Sequence, residues 1–266
     1  MSTVPYTHIE SLYINGRWEK VAAGEPVLNP ATEAAIGHAP VGDTTAARAA
    51  IEAARAAFDR GPWPNLAMAE RAAIMKRMHA ALLTKRDRIA ELIIAEVGCA
   101  QGITNAMQVD APLSHFASAL AHSASDDRSY LPVEATPNLM NPMGPRILGS
   151  GSVVREPVGV IAGITGYNFP FLLNLAKIVP VLLAGNTLVL KPSPFTPYSA
   201  LLFGEIADEI GLPKGVLNIV TGGAEDEHDI PFLPFVQLDL DLHGARLDQD
   251  DLLRTAERII EMDQSI

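Results

Sequence analysis

Three short segments carry side chains whose types and spacing suit ligand chemistry. In LVLKPSPFTP, Lys191 follows an apolar run directly and Ser193 stands two residues on. One ammonium and one hydroxyl, backed by main-chain N–H donors, suit ribose hydroxyls or phosphate. In VTGG, Gly222 and Gly223 have no Cβ, so a ligand can approach the backbone closely; the simpler reading is an ordinary turn. In ITGYNFPF, Asn168 sits between Tyr167 and Phe169, with Pro170 behind it. A turn needs only glycine or proline, so the carboxamide asks for a further reason. The local one is that Asn168 caps the helix that follows.

The elements around these segments alternate. VVREPVGVIAG reads as a strand, and FPFLLNLAKIVPVLLAG as an apolar helix closed by Gly185. NTLVLKPS contains a second strand, TPYSALLFGEIADEIG a second helix closed by glycine, and GVLNIVTGG a third strand. Strand–helix–strand–helix–strand is the unit of a doubly wound parallel sheet. Its strands are continuous apolar runs, as expected when both faces are covered. Ligands of such sheets bind at the carboxyl ends of the strands, where the three segments fall. The common dinucleotide fingerprint G-x-G-x-x-G is missing: Gly149 and Gly151 in GSG precede the first strand instead of following it. The residues by themselves therefore predict an α/β domain with a nucleotide-type crevice.

Upstream, residues 12–41 read as short strands and turns, with a hairpin signal at Asn15–Gly16. Asp43 or Thr44 is placed to cap a helix with Ala47, Ile51, Ala54 and Phe58 on one face. GPWPN breaks it. A second helix, roughly 67–83, lines up Ala73, Met75, Met78 and Leu82 as plain core, and a third, roughly 86–97, stops at Gly98. Residues 130–150 are proline-rich and aperiodic, and predict an arm or hairpin. The tail 224–266 differs again: the alternation in LPFVQLDLDL predicts a strand lying beside the third parallel strand and covering its edge. Asp248 could cap a final helix.

A length of 266 residues, 48% hydrophobic, supports a sizeable core in one large domain or two small ones. Twenty Lys and Arg against 31 Asp and Glu give a net charge of −11, which argues against nucleic acid or an anionic membrane as partner. The one cysteine, Cys99, excludes an internal disulfide and suits a reducing, cytoplasmic setting. The N-terminus lacks the pattern of a signal peptide. IVPVLLAG, broken by Pro180, is too short to span a bilayer. The cluster AEDEHD matches no metal-ligand spacing and reads as a solvated loop, so no metal is expected.

Taken together, VVREPVGVIAGITGYNFPF, LAKIVPVLLAGNTLVLKPSPFTP and GLPKGVLNIVTGG resemble the cofactor-binding half of the NAD(P)-dependent aldehyde dehydrogenase superfamily. YINGRWE and LNPATEAAIG extend the likeness, which covers about residues 10–223. The resemblance implies a Rossmann-like parallel sheet preceded by an N-terminal helical region, NAD or NADP as cofactor and an aldehyde as substrate. It gives Asn168 a role: its side-chain N–H donates to the oxygen of the thiohemiacetal formed when a cysteine attacks the aldehyde. A neutral donor aimed at a developing alkoxide is worth about 3–4 kcal/mol, and asparagine donates without titrating. The same likeness sets Ile164, Thr165 and Tyr167 along the nicotinamide side, Lys191 and Ser193 on the adenine ribose, and Lys177 near the catalytic network.

The family also needs a thiolate nucleophile and a general base, carried in G-Q-x-C-type and E-L-G-G-type motifs. Neither motif occurs after Gly223, and Cys99 matches a structural segment of the family. The expectation is thus a truncated aldehyde dehydrogenase-like fold. Residues 1–223 form a cofactor-binding domain, interrupted at about 130–150 by an arm suited to a homo-oligomer, and 224–266 form a divergent tail. A truncated product, a frameshift, a fusion or a deliberate divergence would each produce this pattern. The alternative to an enzyme is a non-catalytic NAD(P)-binding or protein-interaction remnant.

Overall fold

A computed structural model describes residues 10–123 and 128–222. The described chain opens with a hairpin of β1 (Ser11–Ile14) and β2 (Arg17–Lys20). Its turn residues, Asn15 and Gly16, have φ of 51° and 65°. Two successive positive φ values define the tight turn whose twist matches the strands it joins. A second ribbon pairs β3 (Ala22–Leu28) with β4 (Ala35–Val41). Helix α1 (Thr44–Arg60) follows, and its cap is Asp43, whose carboxylate accepts the Ala46 N–H at 2.8 Å. Ala47, Ile51 and Ala54 are buried as their spacing predicts. Phe58 is only half-buried, with the Arg55 guanidinium 4.8 Å above its ring, and Ala57 takes the core position.

Helices α2 (Met68–Thr84) and α3 (Arg86–Val97) come next, the latter stopped by Gly98 at φ 68°. Met75, Met78 and Leu82 are fully buried, but Ala73 faces outward and Ala72 faces in. A short α4 (Gln101–Ile103) runs through a π-helical turn, Thr104–Asp110, into α5 (Ala111–His122). Residues 128–154 then form two small antiparallel ladders. β5 (Arg128–Tyr130) pairs β8 (Ser152–Val154), and β6 (Glu134–Thr136) pairs β7 (Ile147–Gly149). This is the arm, and its strand residues are all exposed. The continuous strand expected over VVREPVGVIAG is therefore two. Ser152–Val154 belongs to the arm, and β9 (Val160–Thr165) to the main sheet.

The alternation then runs as expected: β9, α6 (Pro170–Leu183), β10 (Thr187–Pro192), α7 (Tyr198–Ile210) and β11 (Leu217–Ile219). β9, β10 and β11 are parallel, with Leu190 opposite both Gly163 and Ile219. The full sheet has the order β2–β1–β11–β10–β9. Both sides of β11 are thus occupied, β10 on one and antiparallel β1 on the other, with Tyr13 opposite Ile219. The tail strand expected beside the third parallel strand falls on residues 224–266, which lie outside the described residues. Among the described residues the sheet ends at β2 on one side and at β9 on the other.

Helices cover both faces. Thr187 on β10 donates its hydroxyl to the Ala54 carbonyl of α1, and Ala50 of α1 packs with Leu12, Ile14 and Val220. On the other face α6 and α7 carry the larger core, with Phe171 stacked on Phe203 at 5.5 Å and α2, α3 and α5 outside them. The hairpin is clamped to α7: Tyr13 Oη–H and Trp18 Nε1–H donate to the two Asp208 carboxylate oxygens at 2.7 and 2.9 Å. A side chain on Gly204 would strike both rings.

Candidate functional site

The carboxyl ends of β9 and β10 lie side by side in register, Lys191 opposite Ile164 and Pro192 opposite Thr165. Side chains alternate between faces along a strand. Lys191 has the parity of Thr187 and Val189, which face α1, so Lys191 and Ile164 share that face at the rim. Thr165 points the other way, toward α6. Its hydroxyl donates to Asn174 Oδ1 at 2.7 Å, with both residues buried. Lys177 lies on this second face: a Cβ built on Gly163 would sit 3.5 Å from Lys177 Cβ. The two lysines therefore occupy opposite faces of the sheet. Burial pulls the Lys177 ammonium below its ordinary range, because water solvates the charged form better.

The loop between β9 and α6 carries Tyr167 and Asn168. Helix α6 begins after Phe169, and no side chain caps it. The local reading of Asn168 as a helix cap is thus overturned; the half-buried carboxamide stands beside an open helix N-terminus. Tyr167 and Phe195 meet edge to face at 5.8 Å, joining the loops after β9 and β10. Both rings remain well exposed, 56% and 46%, so they form a wall at the mouth of the rim. Ser193 is buried, and its Oγ accepts the Phe195 N–H at 3.3 Å.

Gly222 follows β11, at φ 154°. A Cβ there would lie 2.9 Å from the Gly42 carbonyl oxygen. The close approach that this glycine permits is therefore made by the chain itself, where the Gly42 N–H also donates to the Thr221 carbonyl at 2.7 Å. Gly223 and the AEDEHD cluster lie outside the described residues. Among the described residues no group of His, Cys, Asp and Glu could hold a metal ion, and no helix is long and apolar enough to cross a membrane.

One residue here has no motif to announce it. Asn174 is fully buried inside an apolar helix, orients Thr165 and leaves its own Nδ2 without a partner among the described residues. A lone asparagine in FLLNLAKIVP was the available signal. Phe195 stands, by the family resemblance, where some members carry an acid for the adenine ribose; its ring contact with Tyr167 appears only in the fold.

An α/β sheet with chemistry-bearing side chains at its carboxyl rim defines a broad class of ligand-binding domain. Comparison with known proteins narrows it. The model of the aldehyde dehydrogenase family matches residues 18–230. The chain is 36% identical over 225 residues to lactaldehyde dehydrogenase of Escherichia coli, covering 84% of this chain and 44% of that protein. It is 39% identical over 214 residues to 3-succinoylsemialdehyde-pyridine dehydrogenase of a Pseudomonas species, covering 79% and 41%. Among solved structures, a mutant of aldehyde dehydrogenase C from Pseudomonas syringae in complex with NAD+ and octanal superposes with a TM-score of 0.71 at 32% identity, over 84% of this chain and 43% of that one. A Mycobacterium tuberculosis aldehyde dehydrogenase with NAD+ gives 0.70 at 34% identity, over 81% and 43%. The chain belongs to the aldehyde dehydrogenase family. It spans well under half the length of these relatives.

Proposed function

We propose that this chain is the cofactor-binding portion of an aldehyde dehydrogenase, which binds NAD or NADP at the carboxyl rim of β9–β11 and presents Asn168 to the oxygen of an aldehyde-derived adduct. The observation that carries this reading is the pairing of Lys191 with Ile164 at the rim, beside an α6 N-terminus that no side chain caps. An uncapped helix start and an ammonium suit the anionic and hydroxyl-rich parts of a dinucleotide. Relatives solved with NAD+ support the choice of ligand.

Lys191 and Ser193 would hold the adenine ribose, and Ile164, Thr165 and Tyr167 the nicotinamide side. KPSPFTP contains no carboxylate to repel a 2′-phosphate, so NADP fits as well as NAD. Gly222, at the end of β11, would bound the far side. The dinucleotide supplies the hydride acceptor. What the chain supplies is a fixed neutral donor, Asn168, whose N–H stabilises negative charge as it grows on the former carbonyl oxygen. Lys177, on the α6 face, would tune the charge around that helix. Cys99 sits in the linker between α3 and α4, not in a rim loop. Turnover would therefore draw its thiol from outside residues 1–266, for example from a separate subunit.

A second reading is a non-catalytic NAD(P)-binding or interaction remnant. It is favoured by β9, whose outer edge carries no strand among the described residues and so forms only one wall of a crevice. The exposed arm, with Met140 and Met143 almost fully in solvent, supports a homo-oligomer under either reading. A cytoplasmic setting rests on the single cysteine.

Calorimetric titration with NAD+ and NADP+ tests the shared claim. Wild type should bind, and Lys191→Ala should bind about tenfold more weakly, the loss of one charge-assisted hydrogen bond. Failure of the wild type to bind either dinucleotide removes the reading. An aldehyde oxidation assay on the same protein then separates enzyme from remnant.

A further inference from the structure

Glu96 is a buried carboxylate that the proposed chemistry does not use. It lies near the end of α3 and is only 4% exposed. Its oxygens face the start of α7: Oε1 accepts the Tyr198 N–H at 2.6 Å and Oε2 the Ser199 N–H at 3.0 Å. Those are the first two N–H groups of the helix, which have no acceptor within it. The residue before them is Pro197, whose side chain cannot cap. A residue a hundred positions earlier therefore supplies what the local sequence lacks.

The anchor continues into the rim. Ser199 Oγ–H donates to the Thr196 carbonyl at 3.1 Å, and the Thr196 N–H to the Ser193 carbonyl at 3.2 Å. Ser193 Oγ in turn holds the Phe195 N–H, and Phe195 meets Tyr167. Helix α3 is held against α7 by a two-pronged pair, Arg88 to Glu205 at 2.6 and 3.1 Å, and by Lys85 to Glu209. The Tyr198 hydroxyl donates to the His38 carbonyl at 2.9 Å. Glu96 is thus fixed from behind and grips the helix whose entry loop carries Ser193 and Phe195.

We propose that Glu96 is a positioning residue for the rim, setting the Ser193–Pro197 loop and, through it, the places of Ser193, Phe195 and Tyr167. The proposal rests on the reading of this rim as the dinucleotide site. It assigns a functional consequence to α3, in the N-terminal helical region.

The test compares wild type, Glu96→Gln and Asp208→Ala. Glutamine keeps the shape but replaces one acceptor by a donor, and Asp208→Ala weakens the fold at the hairpin, away from the loop. Amide exchange followed by mass spectrometry, Tm and dinucleotide Kd are read for each at about pH 9, where the Glu96 carboxyl, pushed up to about 8 by burial, is ionised and both oxygens accept. In Glu96→Gln, exchange over residues 193–201 should quicken about tenfold, while β9 and β10 keep their protection, and Kd should weaken about five- to tenfold. Asp208→Ala should lower Tm at least as far, with Kd and exchange over 193–201 within about twofold of wild type. Equal weakening of Kd in both variants, or exchange that quickens uniformly in Glu96→Gln, overturns the proposal. Should Glu96→Gln fail to fold, Glu96→Asp takes its place: the shorter acid keeps both acceptors and should loosen the same loop more mildly, and an unchanged loop overturns the proposal. Should wild type bind no dinucleotide, the reading of the site falls, and exchange alone decides whether Glu96 sets the loop.

Discussion

Replacing Asp208 by alanine tests how the sheet is closed. Its two carboxylate oxygens are the acceptors for Tyr13 Oη–H and Trp18 Nε1–H. Tyr13 is 2% exposed, and its phenol is held above its ordinary pKa by burial, then by Asp208. Without Asp208 that hydroxyl is buried and unpartnered, at a cost of about 1–3 kcal/mol. Trp18 is half-buried and can turn its N–H to water, so its loss is about 0.5 kcal/mol. Asp208 is itself exposed, so its charge adds little beyond the hydrogen bonds. The sum is about 1.5–3.5 kcal/mol, a fall in Tm of about 3–14 °C for a domain of this size. Urea unfolding is the assay, followed by the fluorescence of Trp18 in the hairpin and Trp63 in the core. Tyr13→Phe should cost less, since it removes the donor along with its need, and the double variant should cost less than the sum of the two. An Asp208→Ala loss under about 0.5 kcal/mol, or additivity within about 0.3 kcal/mol, would refute the clamp.

Gly204→Ala places a Cβ 2.8 Å from both the Tyr13 and Trp18 rings; urea unfolding should register a loss of about 1–3 kcal/mol from overpacking. Asn168→Ala should leave Tm unchanged within about 1 °C, because Asn168 caps nothing; a drop matching a lost cap, about 1 kcal/mol, would contradict the geometry. Burial pushes the Glu96 carboxyl up to about 8, against the downward pull of the Tyr198 and Ser199 N–H groups and the Ser199 hydroxyl. A raised acid gives its full contribution to stability below the unfolded-state value of 4.5 and loses it as pH climbs through about 8. Wild-type stability should therefore decline across that window relative to Glu96→Gln, as thermal melts at stepped pH will show. Charge-introducing changes at Met140 and Met143 should shift sedimentation toward smaller species if the arm joins copies of this chain.

What sequence disclosed was what is local. Gly98, Asp43 and the Asn15–Gly16 turn act within a few residues of their signals, and the alternation from β9 to β11 is written in uninterrupted apolar runs. Misreadings arose where distant pairing decides. VVREPVGVIAG has apolar ends around a charged, proline-containing break, and only its partners, β5 for one end and β10 for the other, divide it. The helical stretch over 101–122 escaped notice because no side chain caps it and Pro112 lies within its last segment. Of the rim, Lys191 and Ser193 were legible as residue types at a strand end. Asn174 and Glu96 were not, since each acts through a neighbour 9 or 102 residues away in sequence, and the ring contact of Phe195 with Tyr167 exists only once the two loops meet.

The pairing of Tyr13 with Ile219 has a consequence for biosynthesis. A ribosome adding about 5–20 residues per second needs about 10–40 s between making these two strands, and longer before the second clears the exit tunnel. Throughout that interval the first hairpin has neither its partner strand nor Asp208, and its aromatic face is open to chaperones or to misassembly. The nascent chain should acquire protease resistance at its amino end last, not first.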